Sequence, residues 1–397
     1  MNHPIFSWVP TNQNGLDYDW LKSNGSQYGL LVTEDGDGYI VVKMVSREQA
    51  MNTLPEWWKY RSLFIDTRLN IVICRTLDAG RPNLFDRYEW DDIIIEEYVE
   101  GTQIQVFWDC RNRVWSFGTR GRMDLGHKWS GNRTFLEMFI ELVDLDNLVD
   151  KLNTDYCYSF SLQHPDNPII VPCELPRIVH IETRNMRTDR CEDIDIGVEK
   201  PRRFKLPREY EDSLGTLWDN IPQSKNWGED LQRYIDTCVP WQTGGYMIWN
   251  SNHTERYHIM PDSYRQLRMI MDSVITGNMR YRFLALIKDE RWGDIKYIIE
   301  HISDYEADYL WANSQVSWVI KMVYELYRDI YVYKRLTVMT QSQWMSRHLL
   351  YRIHGIYMDR AKRNETRDID IFDIIEAVLH KTSRDELWSI CSVQISN

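Results

Sequence analysis

The distribution of proline divides this 397-residue chain before any motif is considered. The last proline is Pro261. Residues 262–397 contain none, and glycine occurs there only at Gly277, Gly293 and Gly355. Proline removes a backbone donor and clashes with the preceding helical turn, so a long proline-free stretch permits helices. Within it, "YIIEHISDYEADYLWANSQVSWVIKMVYELYRDIYVYKRL" carries apolar residues at i, i+3, i+4 and i+7. This spacing predicts a separate all-helical domain over 263–397.

Residues 1–262 have a different texture. "YGLLVTEDGDGYIVVKMV" sets two apolar runs around Asp35-Gly36-Asp37-Gly38, a hairpin pattern. "RSLFIDTRLNIVICRTL" repeats it with a polar turn at Thr67–Asn70, and "TQIQVFWDCRNRVWSFGTRG" is a third hairpin. "RTFLEMFIELVDLDNLVDKL" has helical spacing, and "YCYSFSLQHPDNPIIVPCELPRIVHIETRN" returns to strands broken by proline-bearing turns. The mixed charges and prolines of "DRCEDIDIGVEKPRRFKLPREYEDS" predict a surface excursion. The expected fold class is α+β: one antiparallel-sheet domain over 1–262, the hairpin region 1–55 included, followed by helices.

A net charge of −12 argues against a nonspecific nucleic-acid coat, because phosphate binding is driven by cations. A local basic groove is compatible with it. "RNRVWSFGTRGRMDLGHK", Arg111–Lys128, holds four arginines, a lysine, Trp115 and Phe117, a combination that can grip single-stranded RNA by charge and stacking. The 7 cysteines show no CxxC spacing, which points to a reducing compartment rather than a zinc module or disulfide framework. No apolar run approaches the ~20 residues of a membrane span, and the N-terminus lacks a signal-peptide pattern. An intracellular, cytoplasmic protein is expected.

Four stretches taken in order carry a resemblance. They are "YRSLFIDTRLNIVICRTLDAGRPNLFD", "EEYVEGTQIQVFWDCRNRVWSFGTRGRMD", "YCYSFSLQHPDNPIIVP" with "IVHIETRN", and "GGYMIWNSNHTERYHIMPDSYRQL". Their order, spacing and helical tail resemble the tRNA-repair RNA ligase family of tailed bacteriophages, within the covalent nucleotidyltransferase superfamily. The resemblance covers most of the chain and is firmest from Tyr60 to Tyr264. It implies an ATP-grasp-like antiparallel nucleotidyltransferase domain of RNA ligase type. In that family a lysine in a K-x-D-G motif attacks the α-phosphate of ATP, two carboxylates help hold metal ions and ribose, and a K-x-K strand neutralises phosphates.

Carried over residue by residue, the resemblance implies a loss. K-x-D-G falls on Tyr98-Val99-Glu100-Gly101, so the lysine is Tyr98 and the aspartate is Glu100. The third-motif carboxylate falls on Ser161 of Phe160-Ser161, and the fourth-motif carboxylate on Gly244 of Gly244-Gly245-Tyr246. The K-x-K lysines fall on His258 and Met260. The residues that match nucleotide- or RNA-facing positions are Arg61, Arg81, Asn83, Glu100, Gly101, Arg120, Arg184, Gly245 and Tyr264.

The implied protein keeps a ligase scaffold without ligase chemistry and binds RNA, nucleotide or a protein partner. RNA would meet the patch at Arg111–Lys128, and a partner protein the helical domain. No catalytic residue and no metal ligand is assigned; ATP and Mg²⁺ would be cofactors only where nucleotide binding or activity persists. Two alternatives stand beside this. One is an active ATP-dependent RNA ligase or nucleotidyltransferase with a relocated nucleophile such as Lys59 or Lys128. The other is a viral structural or complex subunit.

Overall fold

The computed structural model describes residues 6–392 except 14, 81–86, 129–132, 205–220, 222–223, 275–277, 336–345 and 364–367. The chain forms two compact units, Met1–Gln266 and Leu267–Asn397. The helix Asp262–Asp272, which begins directly after Pro261, runs across that boundary.

The first unit supplies, in chain order, the short strands Thr11–Asn12 (β1) and Gly15–Leu16 (β2), then Leu30–Glu34 (β3), Tyr39–Met44 (β4), Ser62–Asp66 (β5) and Ile71–Arg75 (β6). Ile93–Glu97 (β7), Thr102–Asp109 (β8) and Val114–Thr119 (β9) follow, then Tyr156–Gln163 (β10), Arg177–Asn185 (β11), Cys191–Glu192 (β12) and Arg203–Phe204 (β13). Tyr246–Asn250 (β14) and Arg256–Ile259 (β15) complete it. Apart from the β1–β2 ribbon, they form three antiparallel sheets with orders β3-β4-β5-β6, β12-β11-β10-β8-β9 and β13-β7-β14-β15. The fold class is α+β with antiparallel sheets, followed by helices.

The alternation of β7 places Glu96 and Tyr98 on one side and Ile95 on the other, where Ile95 joins Tyr246, Ile248 and Ile259 in a core closed by the helix Trp227–Cys238. A second core lies between the five-stranded sheet and the helix Phe135–Leu142, whose Thr134–Glu137 capping box fixes its start. A third joins Val41, Phe64 and Ile73 to Phe107 and Cys157, locking the four-stranded sheet onto the five-stranded one.

One irregularity redirects side chains along β11. Along β10–β11, Ser159 pairs with Glu182 and Phe160 with His180, so Ile181 has no partner. Such a bulge changes which side chains share a face. His180 lies against Phe160, while Arg184 reaches both Glu182 on its own strand and Asp78 on the segment after β6.

In the second unit every described regular element is helical, with Met279–Lys288, Trp292–His301, Glu306–Tyr327, Arg347–Lys362, Ile371–Leu379 and Arg384–Ser392 the main ones. A π-helical turn at Arg328–Val332 ends the long Glu306–Tyr327 helix. The rings of Tyr327, Tyr331, His354 and Tyr357 stack in sequence beside it, with the Tyr331 and His354 centroids 4.1 Å apart. Among the described residues, no helix is long and apolar enough to cross a membrane.

Candidate functional site

The site is built where β7 leaves its sheet. Tyr98 follows Glu97, the last residue of β7, and its ring stacks on that of His258 from β15, with centroids 3.6 Å apart and planes inclined by 19°. His258 Nε2 lies 2.7 Å from the Gly244 carbonyl oxygen and donates to it. Tyr264 closes the cluster with an edge-on ring 6.2 Å from Tyr98. Three of the positions that the resemblance marks as altered, 98, 244 and 258, therefore pack on one another.

Gly244 is required by that packing. Its φ is +68°, and a Cβ there would sit 2.8 Å from Tyr98 Cδ1. Gly245 has φ +92°, and a Cβ would collide with the Ile259 carbonyl of the neighbouring strand. A glutamate at 244 and the Tyr98 ring would compete for the same volume.

The remaining altered positions serve the backbone. Ser161, on β10, donates through Oγ to the Val99 carbonyl at 3.1 Å. The Met260 carbonyl accepts from Gln232 Nε2 at 3.0 Å. Glu100 is buried; it accepts from the backbone N–H groups of Ile170 at 3.2 Å and Val171 at 2.8 Å, and from the Tyr264 hydroxyl. This carboxylate fastens the loop after β10 to the start of the helix at Asp262. Glu97 is gripped by Arg177 through two contacts of 2.8 and 3.2 Å. Burial opposes its charge, but Arg177 and Arg202 hold its carboxyl below the usual range.

Two cavities flank Tyr98. One, of about 80 Å³, is lined by Arg61, Tyr98, Gly101, Ser161, Met247 and Trp249 among others. The other, of about 290 Å³, is lined by Tyr98, Gly101, Asn167, Pro168, Phe204 and Gly245 among others. The first thus gathers Arg61, Gly101 and Ser161, and the second Glu100, Gly101 and Gly245. The first is far below the ~300 Å³ at which drug-sized ligand sites begin. Among the described residues, no group of three His, Cys, Asp or Glu side chains is arranged to hold a metal ion. That volume and donor set do not fit a metal-bound triphosphate in the 80 Å³ cavity.

Other expected residues lie elsewhere. Arg81 and Asn83 fall outside the described residues. Arg184 is buried among carboxylates, 2.8 Å from Glu182 and 3.5 Å from Asp78 and Asp189, and so does not face a ligand cleft. Burial works against its charge, yet Asp78 and Glu182 hold its guanidinium well above the ordinary range. Tyr264 is fully buried.

Arg120 is exposed at the end of β9 and outside both cavities. Its neighbourhood is nonetheless cationic: burial first, and then Arg120 and Arg122, push the Lys43 ammonium down. The aromatic half of the patch is turned inward, since Trp115 stands edge-on to Tyr158 at 6.1 Å and Phe117 packs on Phe139 at 5.9 Å. Arg111 is likewise engaged, over the Tyr39 ring at 3.7 Å and 3.1 Å from Asp66. Lys59, a candidate relocated nucleophile, is ion-paired with Glu56 at 2.9 Å and Asp189 at 3.4 Å.

Sequence reasoning did not find the Tyr98–His258 stack or the convergence of Lys43 with Arg120 and Arg122. Both join residues distant in the chain, and no local spacing signals them.

No family model matches this chain. Over 105 residues it is 29% identical to a protein of Rhodothermus phage RM378 described as an RNA ligase, a match covering 24% of this chain and 23% of that one. The match therefore spans about a quarter of the curated relative's length. Among solved structures, two forms of an archaeal ATP-dependent RNA ligase align with 80% of this chain and 83% of theirs, at 13% identity and a TM-score of 0.42.

Proposed function

We propose that this protein has a ligase-type scaffold that no longer transfers nucleotides and acts by binding RNA, nucleotide or a protein partner, with RNA the reading its surface favours. The observation that carries the first part is the packing of Tyr98, His258 and Gly244 on one another. Groups that serve one transition state act as a unit, so replacing the nucleophile, both carboxylates and both phosphate-neutralising lysines removes the function rather than reducing it. A phenol is a poor substitute, because its pKa near ~10 requires a base. The imidazole beside Tyr98 directs its Nε2 to the Gly244 carbonyl instead.

RNA is favoured by the grouping of Lys43, Arg120 and Arg122, a local cationic neighbourhood on a chain of net charge −12. With Trp115 and Phe117 packed inward, binding there would be electrostatic rather than by stacking. The test combines end-joining and binding on one RNA preparation. A 5′-phosphorylated oligoribonucleotide with ATP and Mg²⁺ should remain unjoined, while a labelled oligoribonucleotide should bind and release as salt rises. Substituting Arg120 and Arg122 by Gln should weaken binding and flatten the salt dependence by about one to two counterions. Joined product, or binding indifferent to both substitutions, would contradict the proposal.

A further inference from the structure

The second unit concentrates cations and aromatic rings in one stretch. Residues 321–363 hold nine Lys and Arg against three Asp and Glu, on a chain whose net charge is −12, and the same stretch carries six tyrosines. Its described elements are the end of the helix Glu306–Tyr327, the π-helical turn Arg328–Val332 and the helix Arg347–Lys362.

The fold sorts these rings by depth. Tyr327 is 4% exposed and begins the stack that runs through Tyr331 and His354 to Tyr357, with neighbouring planes inclined by 29°, 16° and 18°. Tyr357, at the outer end, is 39% exposed, and Tyr351 is 68% exposed. Burial first, and then the neighbouring Tyr351, raise the Tyr331 phenol, so Tyr351 stands close to the stack. Packing between the two helices accounts for the inner rings. It does not account for the two exposed ones.

The helix Arg347–Lys362 also carries a notch. Tyr351, Gly355 and Met358 are spaced i, i+4 and i+7, so they share one face, and all three are exposed. A Cβ added at Gly355 would meet nothing within 4 Å. Glycine is unfavourable in a helix interior, and no neighbouring residue needs the space here. The glycine instead opens the backbone to close approach between a tyrosine ring and a thioether.

Cations border this face. Arg328 and Arg335 both lie over the Tyr333 ring, at 5.1 and 4.9 Å, and Arg328 donates to its hydroxyl. Among the described residues, Arg328, Lys334 and Arg335 have no carboxylate partner. All three lie within four residues of Tyr331 in the chain.

We infer that this face of the second unit binds single-stranded RNA, with bases stacking on Tyr351 and Tyr357 and phosphates meeting Lys334 and Arg335. An exposed ring accepts any base, so such a site tolerates sequence, while cations track the backbone. An acidic protein segment would satisfy the charge but not the exposed rings. The inference rests on the RNA reading given above and adds to it a second surface, separate from Arg120 and Arg122.

Fluorescence anisotropy with labelled decauridylate tests it, on the full chain carrying Arg120→Gln and Arg122→Gln so that the second surface is read by itself. Binding should persist there. Adding Tyr351→Ala with Tyr357→Ala should weaken it at least tenfold, and adding Lys334→Gln with Arg335→Gln should lower the salt slope by about one to two counterions. Gly355→Gln should raise the unfolding temperature, because a glycine leaves a helix interior, yet weaken binding at least threefold; a purely structural glycine would not separate the two. An oligoribonucleotide bearing 5-iodouridine should photocrosslink to peptides that contain Tyr351 or Tyr357. Circular dichroism confirms that each variant is folded. No RNA binding by the parent would overturn this inference together with the reading beneath it. Binding by the parent that vanishes with Arg120→Gln and Arg122→Gln, or crosslinks confined to residues 1–266, would overturn this inference alone. Polyglutamate bound as tightly as the RNA would assign the face to an acidic protein and overturn it equally.

Discussion

The ring of Tyr98 stacks on that of His258 with centroids 3.6 Å apart, on a histidine tied to the Gly244 carbonyl. In the resemblance these are a nucleophile, a phosphate-neutralising cation and a carboxylate; here they form one packed unit. Tyr98→Ala should cost about 1 kcal/mol from the aromatic pair alone, plus the apolar area it uncovers. Urea unfolding measures this, and a change below ~0.5 kcal/mol would mean that the stack adds no stability.

The same packing predicts coupling between positions 98 and 244. A Cβ at 244 would press on Tyr98, so Gly244→Ala should be more damaging in the parent than in Tyr98→Ala. The difference should be about 0.5–2 kcal/mol, the range for residues in contact. The strain at φ +68° stays in both backgrounds and cancels in the double-mutant cycle. Additive effects would place the two side chains apart.

Much of this architecture is legible in the sequence. The hairpins around Asp35–Gly38 and Thr67–Asn70 form as the turn residues and alternation imply, and the regular elements among the described residues after Pro261 are helical. The partners are not legible. Trp115 and Phe117 look like a stacking platform in a basic run, yet period-two alternation cannot tell which face meets the helix Phe135–Leu142. Arg184 looks like a phosphate ligand, but the unpaired Ile181 redirects the end of β11 and delivers Arg184 to Asp78 and Glu182. A bulge leaves no mark in the residue types that form it.

Removing Arg184 should be severe. It sits in a buried network in which Arg75 and Asp78 also pair and Arg256 Nε donates to the Asp78 carbonyl at 2.7 Å. Arg184→Met should cost about 3–5 kcal/mol by leaving Glu182 and Asp78 under-compensated. Replacing Arg184 and Glu182 together by Met and Leu should recover part of that loss. Chemical denaturation of the single and double variants checks both.

Stability should fall with acid in two windows. The folded His180 imidazole is held down to about 4 against a reference of 6.5. As pH falls from 6.5 toward 4 the unfolded chain takes up this proton first, so folding loses stability, by about 3 kcal/mol at ~1.4 kcal/mol per pH unit. Glu97 behaves as a depressed carboxylate: its contribution is complete above the unfolded value and is lost as pH falls below it, toward the folded one. His180→Phe should flatten the upper window and leave the lower one. A slope unchanged by that substitution would assign the upper window to another group.

Glu100 should prove structural rather than ligand-binding. It accepts from two backbone N–H groups and the Tyr264 hydroxyl, so Glu100→Ala should destabilise the fold by about 2–4 kcal/mol. RNA affinity per folded molecule should stay within twofold, as read by anisotropy below the unfolding transition.

The loss of covalent chemistry is tested most directly by intact mass after incubation with ATP or GTP and Mg²⁺ or Mn²⁺, on the parent and on Tyr98→Lys. The account predicts no adduct on either, because a lysine at 98 would still face His258, Gly244 and Ser161 rather than the groups that activate it. A mass gain of one nucleoside monophosphate on the parent would contradict the account, and peptide mapping would then identify the nucleophile. An adduct on Tyr98→Lys alone would show that the pocket is still organised for the reaction and that the tyrosine by itself silences it.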